Sequence, residues 1–225
     1  MQFEELQKNI GNTMNPLFVT EQKKLFDKIK LVEDEIQVVF SFKGSYKVEE
    51  NPAEWLVIQY FNKLNNILVS LQNMVLLNDE FFSYLALKYI YEFYIKLRYI
   101  SCTESDELFN ERVKNYITLG RKVRIEKIVK ELEGQDELLK KIKESHASTY
   151  RLMNSIAHPN VESLNLHKVT RSPEDRFEGL RMNMQFCMYL IYGLIEVATT
   201  DERFKLVVKP DLKRLKLLTD DINNF

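Results

Sequence analysis

The chain has 225 residues, 45% of them hydrophobic and 29% charged, enough to bury a sizeable core beneath a well-solvated surface. A formal net charge of -1 excludes any global electrostatic case for nucleic acid or a membrane, so such a partner would have to be met by a local patch. The two cysteines, Cys102 and Cys187, lie in apolar helical patterns without metal-ligand spacing and read as buried thiols in a reducing compartment.

Five prolines, at 16, 52, 159, 173 and 210, fall where the apolar periodicity pauses. Proline is tolerated at helix starts and expelled from helix interiors, so this punctuation predicts an all-α protein. Residues 3–10 read as a short helix. Phe18–Phe42 reads as a long one, with Thr20 as its cap and Leu25, Ile29, Val32, Ile36 and Val39 as its apolar stripe. Asn51-Pro52 opens the next helix with a capping residue and a proline at the first position, and Asn78-Asp79 ends it and caps its successor. Glu80–Ile100 is apolar on nearly every face, which predicts a central helix. Helices follow over Glu104–Leu119, Arg121–Leu132, Gln135–Ala157 and Pro173–Ala198, the last with Arg176, Arg181 and Asn183 on its polar face. Phe204–Val208 could form a short strand, and Pro210–Asn223 a final helix or tail.

The expected architecture is an all-α, antiparallel helical bundle with long helices in a single domain, 1–225. Residues 1–17 read as an N-terminal extension and 209–225 as a C-terminal tail. The opening Met-Gln-Phe-Glu-Glu-Leu-Gln-Lys lacks a basic head followed by an apolar run, so no secretory leader is expected. Phe81–Leu97 is broken by Lys88, Glu92 and Lys96, and Phe186–Ile195 is shorter than the roughly 20 apolar residues that span a bilayer. The expectation is a cytoplasmic protein with no membrane partner.

The six glycines stand singly, so no glycine-rich phosphate loop exists, and no Cys or His pair has zinc spacing. His146, His158 and His167 make no helical metal motif, and neither metal nor cofactor is expected. Chemistry concentrates in Ser148–Asn160. On a helix, Arg151, Asn154, Ser155 and His158 share one face while Leu152, Met153, Ile156 and Ala157 pack on the other. Pro159 disfavours helical geometry at His158, which places that histidine at a helix end.

Arg151, six intervening residues and His158 resemble the Arg-x4–6-His motif of the HEPN superfamily, a group of all-helical proteins. Tyr150, Ser155, His158 and Pro159 form a Tyr-x4-Ser-x2-His-Pro run similar to one in uncharacterised bacterial families of that kind. The resemblance implies a homodimer with facing motifs and, in active members, metal-independent RNA cleavage within a defence, toxin or stress system, with a cognate regulatory protein as a further partner. Arg151 and His158 would then be catalytic, supported by Asn154, Ser155, Tyr150 and Glu92. Leu152 departs from the pattern, since many active members carry a polar residue after the arginine.

The chemistry is coherent. A histidine with an ordinary pKa of about 6.5 moves protons at neutral pH, and an arginine fork holds a phosphate at two points. Seven residues along an ideal helix separate the pair by about 10 Å, so joint action on one phosphate needs a distorted helix end or a pair shared across a dimer. Local alternatives also stand: His158 as a helix C-cap, Arg151 in an ion pair with Glu144 or Glu92, and Glu92 in a solvent stripe with Lys88 and Lys96. Arg112, Lys114, Arg121, Lys122, Arg124 and Lys127 make a basic run that could bind RNA phosphates or form a solvated face. The rival to the nuclease is a non-catalytic HEPN-like bundle that binds a partner protein, nucleotide or RNA.

Overall fold

A computed structural model of the chain describes residues 16–41, 48–119, 124–132, 137–157 and 172–223. The described residues form an all-α helical bundle. The helices are α1 (Pro16–Gln37), α2 (Pro52–Leu77), α3 (Glu80–Ser101), α4 (Asp106–Leu119), α5 (Ile125–Glu131), α6 (Glu137–Ala157), α7 (Pro173–Thr200) and α8 (Leu212–Asn223). Short 3-10 turns follow α1 at Val38–Ser41 and α7 at Glu202–Phe204. None of these helices is long and apolar enough to cross a membrane. The segment 3–10 and most of the polar stretch 160–172 lie outside the described residues.

Local chemistry sets several boundaries. The Asn51 side chain accepts from the Glu54 amide at 3.4 Å, with Pro52 at the first helical position of α2. Asn78 closes α2 in the left-handed region at φ 51°, a conformation that asparagine tolerates better than most residues. Asp79 then caps α3 by accepting from the Phe82 amide at 3.1 Å. Ser172 does the same for α7 through the Asp175 amide. Thr20 is not a cap: α1 begins at Pro16, so Thr20 lies within its first turns.

The predicted stripe is the buried one: Leu25, Ile29, Val32 and Ile36 on α1, and Val39 in the 3-10 turn that follows it, are all at or below 1% exposure. It packs on α2, and α8 lies across α1 and α7. Ion pairs Lys28–Asp221 at 3.1 Å and Arg214–Glu35 at 3.1 Å fix α8 antiparallel to α1.

At the centre, α3 meets α2, α4, α5, α6 and α7. Its closest partner, α7, runs parallel to it. Glu80 lies against Gly179, Asn183 donates to Ser83 at 2.8 Å, and Ser101 donates to Asp201 at 2.6 Å, so the register advances together from one end to the other. The intervening segment through α4, α5 and α6 carries the chain back to where α3 began. Asn183 is therefore buried against α3 and is not on the polar face of α7 assigned to it from the pattern.

The strand expected at Phe204–Val208 does not form. Phe204 closes a 3-10 turn and is fully buried against Phe109 in an edge-on ring contact, and Lys205 is left-handed at φ 54°. Cys187 is buried as expected, whereas Cys102 is half-buried at the C-cap of α3.

Arg203 and Asp201 clamp the ends of α3 and α7. Arg203 binds Asp201 at 2.7 Å and donates to the carbonyls of Thr103 at 2.7 Å and Ser101 at 2.8 Å. Burial works to raise the Asp201 carboxyl, yet hydrogen bonds from Arg203 and Ser101 outweigh it and hold the group below its ordinary value near 3.8. A depressed folded-state pKa means that this stabilisation is complete above the unfolded value and is lost as pH falls through the folded one. Asp201→Asn should therefore lower stability by about 1–3 kcal/mol at pH 7, with the gap to wild type closing below pH 4; urea denaturation at both pH values measures it.

Candidate functional site

The segment carrying Arg151 is a helix because α6 is strongly amphipathic. Ile142, Met153 and Ile156 are buried, and charged residues occupy the far side. Leu152 does not pack with them and stays exposed. The helix α6 rests on α3, and the short α5 rests on α3 beside it. Between α5 and α6 lies an open cleft of about 780 Å³.

From α5 the cleft receives Glu126, Val129 and Lys130; from α6 it receives Lys143, His146, Ala147, Tyr150, Arg151, Asn154 and Ser155. Arg151, Asn154 and Ser155 are thus brought together, as the helical spacing predicted, and Tyr150 joins them. His158 and His167 lie outside the described residues, as do Arg121 and Lys122.

The Arg151 side chain is exposed and makes no hydrogen bond or ion pair among the described residues, including none with Glu92 or Glu144. Ser155 is buried and donates back to the Leu152 carbonyl at 2.8 Å, within its own helix. Glu92 does not line the cleft. It pairs with Lys96 at 3.3 Å and accepts the Tyr150 hydroxyl at 3.1 Å, so it supports the cleft from behind. Burial first, and then the Glu92 charge, push the Tyr150 phenol above its ordinary range, which keeps it a hydrogen-bond donor.

His146 was not among the residues expected at the site, yet the structure places it in the cleft's inner wall. Its ring stacks on Tyr150 with centroids 5.0 Å apart and on Tyr91 at 5.8 Å, with both interplanar angles at 17°. Tyr91 meets Nδ1 at 2.6 Å, while Nε2 is buried with no partner among the described residues. Burial lowers the imidazole pKa below 6.5, and Glu126 only partly offsets this. The available signal was spacing: His146 and Tyr150 are four apart on α6, facing Tyr91 on a helix that is otherwise apolar.

Lys143 has a structural duty as well, because its ammonium bonds the Leu132 carbonyl just beyond α5. Counting Lys130, Lys143 and Arg151 against Glu126, the lining carries an excess of positive charge suited to an anion. Among the described residues no group of three or more His, Cys, Asp or Glu is placed to hold a metal.

The remaining basic run is divided. Arg112 is half-buried on α4, where its guanidinium donates to the Tyr99 and Cys102 carbonyls and stacks 4.0 Å above the Tyr99 ring; it fastens α4 to the end of α3. Lys114 and Arg124 are exposed, and Lys127 is exposed in an ion pair with Glu131 at 3.6 Å. A comparison with protein-family models, with curated proteins and with solved structures finds no match to this chain.

Because its folded-state pKa is depressed, His146 stays neutral while an unfolded histidine charges. Stability should therefore fall as pH drops through 6.5 towards the folded value. His146→Phe keeps a ring in the stack and removes this dependence; the slope of unfolding free energy between pH 7 and 5 reports the difference, and equal slopes would contradict it. Tyr91→Phe, which leaves Nδ1 without its partner, should cost about 1–3 kcal/mol in a denaturant titration.

Proposed function

We propose that this chain is a HEPN-like helical protein whose α5–α6 cleft takes single-stranded RNA and cuts it without a metal. The observation that carries the reading is Arg151, exposed at the cleft with no ion-pair partner among the described residues and accompanied by Lys130 and Lys143. An arginine left unpaired beside further cations is suited to a phosphate, which it can hold at two points.

In this reading Arg151 grips the scissile phosphodiester and stabilises the charge that develops on its oxygens. His158, the residue immediately after α6, takes the proton of the neighbouring 2'-hydroxyl. The 2'-oxygen attacks phosphorus, and the bond to the 5'-oxygen breaks. The leaving oxygen takes a proton from water or from the His158 imidazolium formed in the first step, giving a 2',3'-cyclic phosphate and a free 5'-hydroxyl. Asn154 borders the path and can donate to phosphate oxygens, while Tyr150, whose hydroxyl proton goes to Glu92, offers only its ring to the cleft. Arg124, exposed at the start of the helix that carries Lys130, is a further cation that the strand could meet.

Self-association belongs to the same proposal. Met182 and Tyr189 on α7 are 60% and 50% exposed, an apolar surface that a second copy could cover while its own Arg/His pair faces the first. A second reading, binding of RNA or a nucleotide without cleavage, draws on Leu152, which stands exposed next to Arg151 where a polar group would help catalysis.

The test is cleavage of a mixed single-stranded RNA pool in EDTA. Wild type should cut and leave cyclic phosphate ends, while Arg151→Ala and His158→Ala, each checked for helicity, should lose about 100-fold or more in rate. Wild type that is inert, or variants that cut as wild type does, would refute the nuclease and leave the binding reading.

A further inference from the structure

The proton on the Tyr91–His146 hydrogen bond can be located by chemistry. Burial pushes the Tyr91 phenol above its ordinary range, so its proton is retained. A phenol is a better donor than a neutral imidazole N–H, and an unprotonated ring nitrogen is a better acceptor than a phenol oxygen. At 2.6 Å, Tyr91 Oη therefore donates and His146 Nδ1 accepts. The imidazole hydrogen is left on Nε2.

The charged and titratable groups around the ring come from three helices: Tyr91 and Glu92 with Lys96 on α3, Glu126 and Lys130 on α5, and Lys143, Tyr150 and Arg151 on α6. Within that set burial disfavours the cationic form of the half-buried ring, and Glu126 only partly offsets this. Nε2–H is then a buried donor with no acceptor among the described residues, in a cleft that Arg151, Lys130 and Lys143 line against the single acid Glu126. A buried donor without a partner is costly to a fold, and the stack and the Tyr91 bond prevent the ring from turning away.

We propose that His146 contacts the ligand directly: its neutral Nε2–H donates to a phosphodiester oxygen of a strand held in the cleft by Arg151, Lys130 and Lys143. This rests on the reading that the cleft takes RNA, and adds to it a neutral donor whose tautomer is set by Tyr91. The role is that of a donor, not a base, because the lone pair is turned to Tyr91. Nε2 has no exposed surface in the free chain, so the contact forms only as the ligand parts the side chains over it.

The experiment uses the full chain with 15N-labelled histidine and two probes: a 2'-O-methyl RNA tetranucleotide, which cannot be cut through its 2'-oxygen, and inorganic phosphate. The signals of His146 are identified by their loss in His146→Phe. In the free protein at pH 7.5 they should show hydrogen on Nε2 and none on Nδ1. The tetranucleotide should shift Nε2 and leave Nδ1 in place, and its affinity should fall about 10-fold in His146→Phe. A shift with phosphate alone and none with the tetranucleotide upholds the phosphate contact but overturns its assignment to a strand.

Hydrogen on Nδ1, a cationic ring, or equal affinity in His146→Phe overturns the proposal. The wild-type spectrum decides the tautomer even if the variant folds poorly. Binding that depends on His146 without any cleavage would sink the nuclease and keep this contact. Cleavage by a chain whose affinity ignores His146 would do the reverse.

Discussion

A helix that is apolar on almost every side has to be surrounded, and α3 is such a helix. Five others pack on it, leaving only a few of its side chains, Phe82 and Tyr89 among them, at the surface. Enclosure obliges each polar group it carries to find a partner on a neighbour. Ser83 is met by Asn183 and Ser101 by Asp201 on or just beyond α7; Tyr91 is met by His146 and Glu92 by Tyr150 on α6. The first two contacts set α7 in parallel register, and the second two fix where α6 lies.

The cleft follows from that arrangement. Both α5 and α6 lean on α3 and touch each other only lightly, so the space between them stays open. Lys143 ties α6 to the end of α5. The aromatic stack holds the inner face of α6 rigidly, while Arg151, one residue beyond Tyr150, points into solvent without a partner among the described residues. A packed aromatic base one residue from an unpaired cation suits the capture of an anion, because the base fixes where the arginine starts and the anion supplies the partner it lacks.

Much of this was legible in the sequence where local physics decides. The stripe Leu25, Ile29, Val32, Ile36 and Val39 gave the buried face of α1, and Asn51-Pro52 and Asn78-Asp79 gave the boundaries of α2 and α3. The all-round apolar pattern placed α3 at the centre. What depends on distant partners was not legible. The parallel course of α3 and α7 comes from packing across about a hundred residues. Asn183 looked solvent-facing because nothing nearby shows that Ser83 awaits it. Phe204–Val208 has strand-like residues, but the burial of Phe204 on Phe109 overrides that preference. At the site, helical spacing grouped Arg151, Asn154 and Ser155 but passed over His146, whose meaning lies in Tyr91 on another helix. Arg112 read as a free cation until the Tyr99 and Cys102 carbonyls accounted for it.

On the proposed reading, single-stranded RNA lies in the α5–α6 cleft. Photocrosslinking of a 4-thiouridine-substituted single-stranded RNA to the full chain, followed by peptide mapping, tests it most directly. The account predicts adducts within Glu126–Lys130 and Lys143–Ser155, above all at Tyr150 and His146, that fade as salt rises. Adducts confined to other faces, such as the exposed surface of α7 around Met182 and Tyr189, or none at low salt, would contradict it.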